Sequence, residues 1–556
     1  MNSKPLTPSL SVSPQLSETD VAAAARAGVR SIIANRPDGE EPGQPSAATL
    51  TAVAANHGVA FEHIPVTLNA ISTADVERMA DALRRLPEPM LAYCRTGTRS
   101  TALWALTRSG KEDPEALLVA ASSAGYDLNA VRARLAPVIP SCGADAVVRI
   151  YDVVIIGGGA AGVASAASLL KRRPALDIAI VEPAETHDYQ PGWTMVGAGV
   201  FAPGATRRPM ASVMPDRCHW IRQAAAGLAP ETAEVVLADG SSLRYRVLIV
   251  APGLKLDWEA IPGLSDALGR NGVTSNYRFD LAPYTYELVS RLKHGRALFT
   301  QPAMPIKCAG APQKAMYLSC DLWRRAGVLG DIEVEFHNAG AVLFGVSTYV
   351  PALMEYVERY GIALRPQSRL IAVDGAARVA TFETDAADGD VSRTKREFDL
   401  LHAVPPQVAP AFVGQSSLAS ANGFVDVDPA TLRNPSFGNV FSLGDACSAP
   451  NAKTAAAVRK QAPIVALNVL ATLDSRPLPA TYDGYGSCPL TVELGKVVLA
   501  EFGYGGALLP TFPKWLLDGT RPSRLAWLLK ERVLPPLYWH AMLRGREWLV
   551  APASAK

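Results

Sequence analysis

The sequence predicts an α/β protein of several domains, with two tandem Rossmann-like units at its centre. Three observations predict it. An apolar strand over residues 151–156 runs into Gly157-Gly158-Gly159-Ala160-Ala161-Gly162 and an alanine-rich helix. A second strand–helix–strand pattern spans residues 296–338, and strand–helix alternation recurs upstream of residue 137. Alternation of this kind builds parallel sheets covered by helices.

The G-x-G-x-x-G segment is the most specific of these signals, because it stands between a strand and a helix. Gly157 permits the tight turn, Gly159 lets backbone approach a pyrophosphate, and Gly162 lets the helix pack on the strand. The phosphates then sit at the helix N-terminus. Twenty residues after Gly162, the apolar run Ile178–Val181 ends in Glu182. A carboxylate at that position accepts hydrogen bonds from a ribose 2′-OH, which points to FAD or NAD and away from NADP.

Two further turns extend the pattern. The strand 246–251 ends in Pro252-Gly253, where the chain returns past the first nucleotide, and the strand 440–443 ends in Gly444-Asp445. A carboxylate after such a strand is placed to hold flavin ribityl or pyrophosphate groups. In the second unit a strand at 296–300, a helix from about residue 313 to 326 and a strand Ile332–Asn338 are expected. Its strand-to-helix turn reads Pro305-Ile306-Lys307-Cys308-Ala309-Gly310-Ala311-Pro312, without the glycine spacing. Cys308 stands there instead, beside Lys307 and near a helix N-terminus, two features that favour thiolate. Sulfur chemistry, not NADH oxidation, is the expectation for this site.

The chain of 556 residues carries a net charge of +2, which calls for no nucleic-acid partner. No run of 18 apolar residues spans a membrane, and the first residues suggest neither secretory signal nor transit peptide, so cytoplasmic residence is expected. Seven scattered cysteines make neither a disulfide scaffold nor a C-x-x-C zinc site, and no metal is expected.

Upstream, residues 28–35 read as a buried strand, 72–86 as a helix opened by a Ser or Thr cap, and Met90–Tyr93 as a strand. Cys94-Arg95-Thr96-Gly97-Thr98-Arg99 follows. Backbone N–H groups of this loop can encircle an oxyanion, Arg99 can grip it, and the same field favours a Cys94 thiolate. Four residues between Cys94 and Arg99 match a sulfurtransferase ring better than the wider phosphatase loop. Asp38, on a Pro/Gly-rich loop, is a candidate general acid. Residues 137–150 read as a linker.

Four segments carry a resemblance: 187–199, 307–314, 453–457 and 482–490. They resemble the sulfide:quinone oxidoreductases, specifically the mitochondrial-type branch. The resemblance implies an FAD enzyme over residues 151–505 that oxidises sulfide through two redox cysteines. It also implies sulfane sulfur passed to a small thiol or sulfite, and two electrons passed to a quinone. Cys308 matches the first redox cysteine. The second normally follows Gly-Asp directly, whereas here Cys447 comes one residue later, with Cys488 and Cys320 in reserve. Lys453 falls on the cofactor side.

Residues 13–136 resemble the phosphatase-like domain of the β-lactamase-hydrolase-like family, with phosphatase or sulfurtransferase activity both open. Residues 506–556 hold four of the nine tryptophans among basic residues. Such an amphipathic tail is expected to lie on the inner face of the cell membrane, where a lipophilic quinone is reached. The alternatives are an NAD(P)H:quinone oxidoreductase and a membrane-associated redox sensor or scaffold.

Overall fold

The computed structural model describes the chain except for residues 1–2, 69–70, 110–111, 113, 136–148, 386–390, 549, 551–552 and 555–556. Most of the expected linker therefore lies outside the described residues. The chain divides into two compact units, residues 1–146 with 238–242, and residues 147–237 with 243–556.

The first unit holds a five-stranded sheet in the order Lys4–Pro5, Leu10–Ser13, Met90–Tyr93, Ser31–Ala34, Ala60–His63. All pairings but the first are parallel. Ser31–Ala34 and Met90–Tyr93 are buried along their whole length, as continuous apolar runs in a parallel sheet must be. The expected helix runs over Thr73–Arg85 and begins at a capping box, in which Ser72 and Asp75 satisfy each other's backbone N–H groups.

The second unit contains both dinucleotide-type sheets. In the first, Ile150–Ile156 lies between Ile178–Val181 and Ser242–Val250, and Val440–Ser442 joins the far side of Ser242–Val250 in parallel. The glycine loop and the Gly444-Asp445 turn thus leave strands on either side of Ser242–Val250 at their carboxyl ends, where open α/β sheets bind ligands. The second sheet is wholly parallel, in the order Val273–Thr274, Leu400–His402, Gly295–Gln301, Ile332–Asn338, Ala363–Pro366. Helix Ala311–Arg325 follows Gly295–Gln301 through the cysteine-bearing turn.

A hairpin, Gly486–Glu493 with Lys496–Phe502, follows the long helix Ala455–Leu473. Beyond it, Arg524–Leu528, a π-helical turn Leu529–Val533 and Leu534–His540 make the C-terminal segment. This segment is docked: Tyr538, Trp539, Met542 and Leu543 belong to the same apolar core as the glycine-loop strand. No helix among the described residues is long and apolar enough to cross a membrane.

Candidate active site

A cleft of about 600 Å³ opens in the second unit, lined by Gly159, Glu182, Gly253, Cys308, Asp445 and the C-terminal Leu534 among others. Its size falls within the roughly 300–1,000 Å³ of ordinary ligand sites. The glycine loop is shaped by steric necessity. Gly157 has φ 99°, and a Cβ there would stand 2.3 Å from the Ala251 carbonyl oxygen. A Cβ on Gly162 would meet the Gly157 carbonyl oxygen at 1.8 Å. Gly159 differs: nothing lies within 4 Å of its Cβ position, so the N-terminus of helix Ala160–Arg172 is open to the cleft. Glu182 accepts from the Gly158 and Ala184 amides at 2.7 and 2.8 Å, which fixes its carboxylate beside that opening.

The Gly444-Asp445 turn completes the cradle. The Asp445 carboxylate lines the cleft with no hydrogen-bond partner among the described residues, and burial raises its pKa. Lys453 serves the turn itself, donating to the carbonyls of Asp445 and Cys447 at 2.8 and 2.9 Å. Its own carbonyl accepts from the Cys308 amide at 2.9 Å, tying the cysteine-bearing turn to this region. The open helix terminus, the glycine approach and the unpartnered carboxylate fit FAD.

Cys308 lies in the cleft with φ 49°, the left-handed region that strains a non-glycine residue. Its Sγ stands 3.9 Å from Cys488 Sγ on the hairpin strand, and Lys314 Nζ donates to it at 3.1 Å. Hydrogen bonding from Cys488 and the Lys314 ammonium hold the Cys308 thiol well below its ordinary pKa, while the Cys488 thiol is pushed up. Lys314 is buried, yet the facing thiolate keeps its ammonium charged. Gly310 allows this approach, since a Cβ there would fall 2.5 Å from Cys488 Sγ. Lys530, from the π-helical turn, is buried nearby; burial first and then Lys314 bring its pKa to about 7.

Cys447 is placed differently. It is fully buried in the core of the glycine-loop sheet, its thiol donates to the Gly444 carbonyl at 3.3 Å, and it does not line the cleft. Cys320 is likewise fully buried, and burial raises its pKa. The sulfur neighbour of Cys308 is Cys488, a residue the sequence reading held only in reserve. Lys314 and Lys530 carry no role in that reading, although Lys314 stands in a quoted motif.

In the first unit, Cys94 is buried at the end of its strand, and the Gly97 amide donates to its sulfur at 3.1 Å. Gly97 has φ 98°, and a Cβ there would strike the Tyr126 ring at 2.4 Å. Arg99 is held bidentately by Glu40 at 2.7 Å for both contacts, and Arg99 holds the Glu40 pKa down at about 2. Asp38 accepts from the Ala47 amide at 2.8 Å, at the start of helix Ala47–Asn56.

Two dinucleotide-type sheets, a glycine-loop cradle and thiols beside it define an FAD-dependent oxidoreductase. Mitochondrial sulfide:quinone oxidoreductase of Dictyostelium discoideum is 38% identical over 401 residues, covering 72% of this chain and 87% of that protein. The solved sulfide:quinone oxidoreductase of Aquifex aeolicus superposes with a TM-score of 0.58 at 18% identity, over 73% of this chain and 97% of that one. The chain belongs to the sulfide:quinone oxidoreductase family, enzymes that oxidise sulfide with a quinone. Its residues 2–111 match the family described as Beta-lactamase hydrolase-like protein, phosphatase-like domain. A Beta-lactamase hydrolase-like protein of Xylella fastidiosa is 38% identical over 109 residues, which is 19% of this chain and 25% of that protein.

Proposed function

We propose that Cys308 and Cys488 are the redox pair through which this chain oxidises sulfide. The observation that carries this reading is the 3.9 Å contact between the sulfur of Cys308, which lines the cleft, and that of Cys488, buried beside it, with Lys314 at 3.1 Å from Cys308. In the oxidised enzyme the two sulfurs form a disulfide, and hydrosulfide attacks Cys488. Cys308 is then the leaving group, because a low-pKa thiol leaves faster and Lys314 stabilises its anion. Cys488 becomes a persulfide. A sulfite or small thiol takes its outer sulfur, which leaves two thiolates facing each other. Loss of two electrons from this pair re-forms the disulfide. FAD, held by Gly157, Gly159, Gly162, Glu182, the Pro252-Gly253 turn and Gly444-Asp445, supplies the two-electron relay to quinone. Lys314 and Lys530 concentrate anionic sulfur species at the pair.

The C-terminal segment serves the quinone. Leu529, Val533, Leu534 and Leu537 line the cleft, while Trp515 is 85% exposed and Leu516, Leu525 and Leu528 are also exposed. Lys514, Arg521, Arg524 and Arg532 are interspersed, the composition of a segment that lies on a membrane surface.

The first unit carries sulfur onward. Its Cys94–Arg99 ring is narrower than a phosphatase loop and suits a persulfide on Cys94. A covalent link to the sulfide-oxidising unit gives a carried sulfur a high effective concentration there. Anaerobic addition of sulfide to the holoenzyme tests the whole reading: sulfide bleaches the flavin and quinone restores its colour, whereas bleaching by NADH and not by sulfide would refute it.

A further inference from the structure

A quinone needs two protons as well as two electrons to become a hydroquinone. One buried acid in the cleft is wired for their delivery. Glu501, on strand Lys496–Phe502, is 5% exposed and lines the cleft together with Tyr485 and Thr511. Its Oε1 accepts from the Tyr485 hydroxyl at 2.6 Å and from the Thr511 hydroxyl at 2.5 Å. Its Oε2 accepts from the Thr511 amide at 3.1 Å, and the two hydroxyls are themselves 3.3 Å apart. Tyr485 is buried and Thr511 is exposed, so the three groups connect the interior of the cleft with solvent.

The surrounding charges suit a carboxyl that changes state. Arg459 also lines the cleft, and burial lowers its pKa while Tyr485 and Glu501 oppose that shift. Its guanidinium donates to the Trp548 carbonyl at 3.1 Å and makes no hydrogen bond to Glu501 among the described residues. Lys460 stands 4.3 Å over the Tyr485 ring and 3.9 Å from Asp483. Lys530 lines the same cleft, and the Tyr349 hydroxyl meets only the backbone of Glu501. Among the described residues no cation is paired directly with the Glu501 carboxylate, so passing a proton through it breaks no ion pair. Hydroxyl groups both donate and accept, which is the requirement for passing a proton along the chain.

We infer that Thr511, Glu501 and Tyr485 form the proton relay for the quinone reduced in this cleft, an inference that rests on the sulfide:quinone reading. As two electrons reach the quinone, one of its oxygens takes the Tyr485 proton. Glu501, whose oxygens accept from both hydroxyls, takes up a proton from solvent through Thr511 and passes it to Tyr485. Two passages balance the two electrons, and no other oxidant or reductant is needed.

The test separates proton-coupled from proton-free reoxidation in the FAD-loaded enzyme. Sulfide-reduced Glu501→Gln and Tyr485→Phe are mixed in stopped flow with a soluble short-chain quinone, and separately with ferricyanide, which accepts electrons alone. In both variants, quinone reoxidation is expected to fall by about 10²-fold, the scale of a lost general acid. Bleaching by sulfide and reoxidation by ferricyanide are expected to match the parent. Tyr485→Phe keeps the ring and the Glu501–Thr511 bonds, so it guards against a folding defect in Glu501→Gln. Unchanged quinone reoxidation in Tyr485→Phe, or equal slowing with ferricyanide, would overturn the relay. Failure of the parent enzyme itself to pass electrons from sulfide to quinone would remove the underlying functional reading instead.

Discussion

The sulfur atoms of Cys308 and Cys488 stand 3.9 Å apart although 180 residues separate them in the chain. The strained turn at Cys308 and the missing side chain at Gly310 both serve that contact. The structure thereby joins the second dinucleotide-type unit to the late hairpin, and sets a buried thiol and an ammonium against the Cys308 thiol of the cleft.

The hydrogen bond from Cys488 and the Lys314 ammonium set the reactivity of Cys308. With the Cys308 pKa lowered, the thiolate persists as pH falls below the usual thiol value of about 8.5, and is lost only when pH drops through the shifted value. Alkylation of the reduced enzyme by iodoacetamide should therefore label Cys308 readily at neutral pH. Lys314→Met should move the labelling profile to higher pH and slow sulfide-driven bleaching at neutral pH more than in alkaline buffer. An unchanged labelling profile would remove Lys314 from the mechanism.

The tail prediction follows from which aromatic residues are outside. Truncation before the C-terminal segment would strip Tyr538 and Trp539 from the core and open the cleft, so it confounds anchoring with folding. Replacing exposed residues avoids this. Trp515→Ser combined with Leu528→Ser should release the protein from anionic liposomes and raise KM for a long-chain quinone, with KM for sulfide and flavin content maintained. Unaltered co-sedimentation with liposomes would refute the anchor.

The first unit gives a chemical prediction. Treatment with thiosulfate or glutathione persulfide should add one sulfur atom to Cys94, detected by mass spectrometry, and Cys94→Ser should abolish the adduct while sulfide:quinone turnover persists. Absence of the adduct, with brisk aryl phosphate hydrolysis, would assign this unit to phosphatase chemistry.

The parts of this molecule written in contiguous residues are legible in the sequence. Met90–Tyr93, an apolar run, and Ile332–Asn338, alternating apolar and polar, have the strand bounds their sequence patterns predict. The glycine loop is legible because its strand, turn and helix are consecutive. The partner of Cys308 is not, since a contact across 180 residues is a product of tertiary packing. The family resemblance points to Cys447, one residue beyond Gly-Asp, but a short 3₁₀ turn at Gly444–Ala446 leaves Cys447 extended with its thiol turned back to the Gly444 carbonyl. The tail shows the same limit. Its amphipathic composition is plain, yet the π-helical turn at Leu529–Val533 inserts an extra residue per turn and shifts which side chains face inward. That shift accompanies Lys530 becoming a buried group of the cleft. Asp38, the candidate acid on the Pro/Gly-rich loop, accepts from the Ala47 amide at the start of a helix.

The central claim is the identity of the thiol pair, and an anaerobic sulfide titration of three FAD-loaded variants tests it most directly. Cys308→Ser and Cys488→Ser should each retain FAD absorbance and lose its bleaching by sulfide, while Cys447→Ser bleaches like the parent. Full bleaching in Cys488→Ser, together with its loss in Cys447→Ser, would contradict the account.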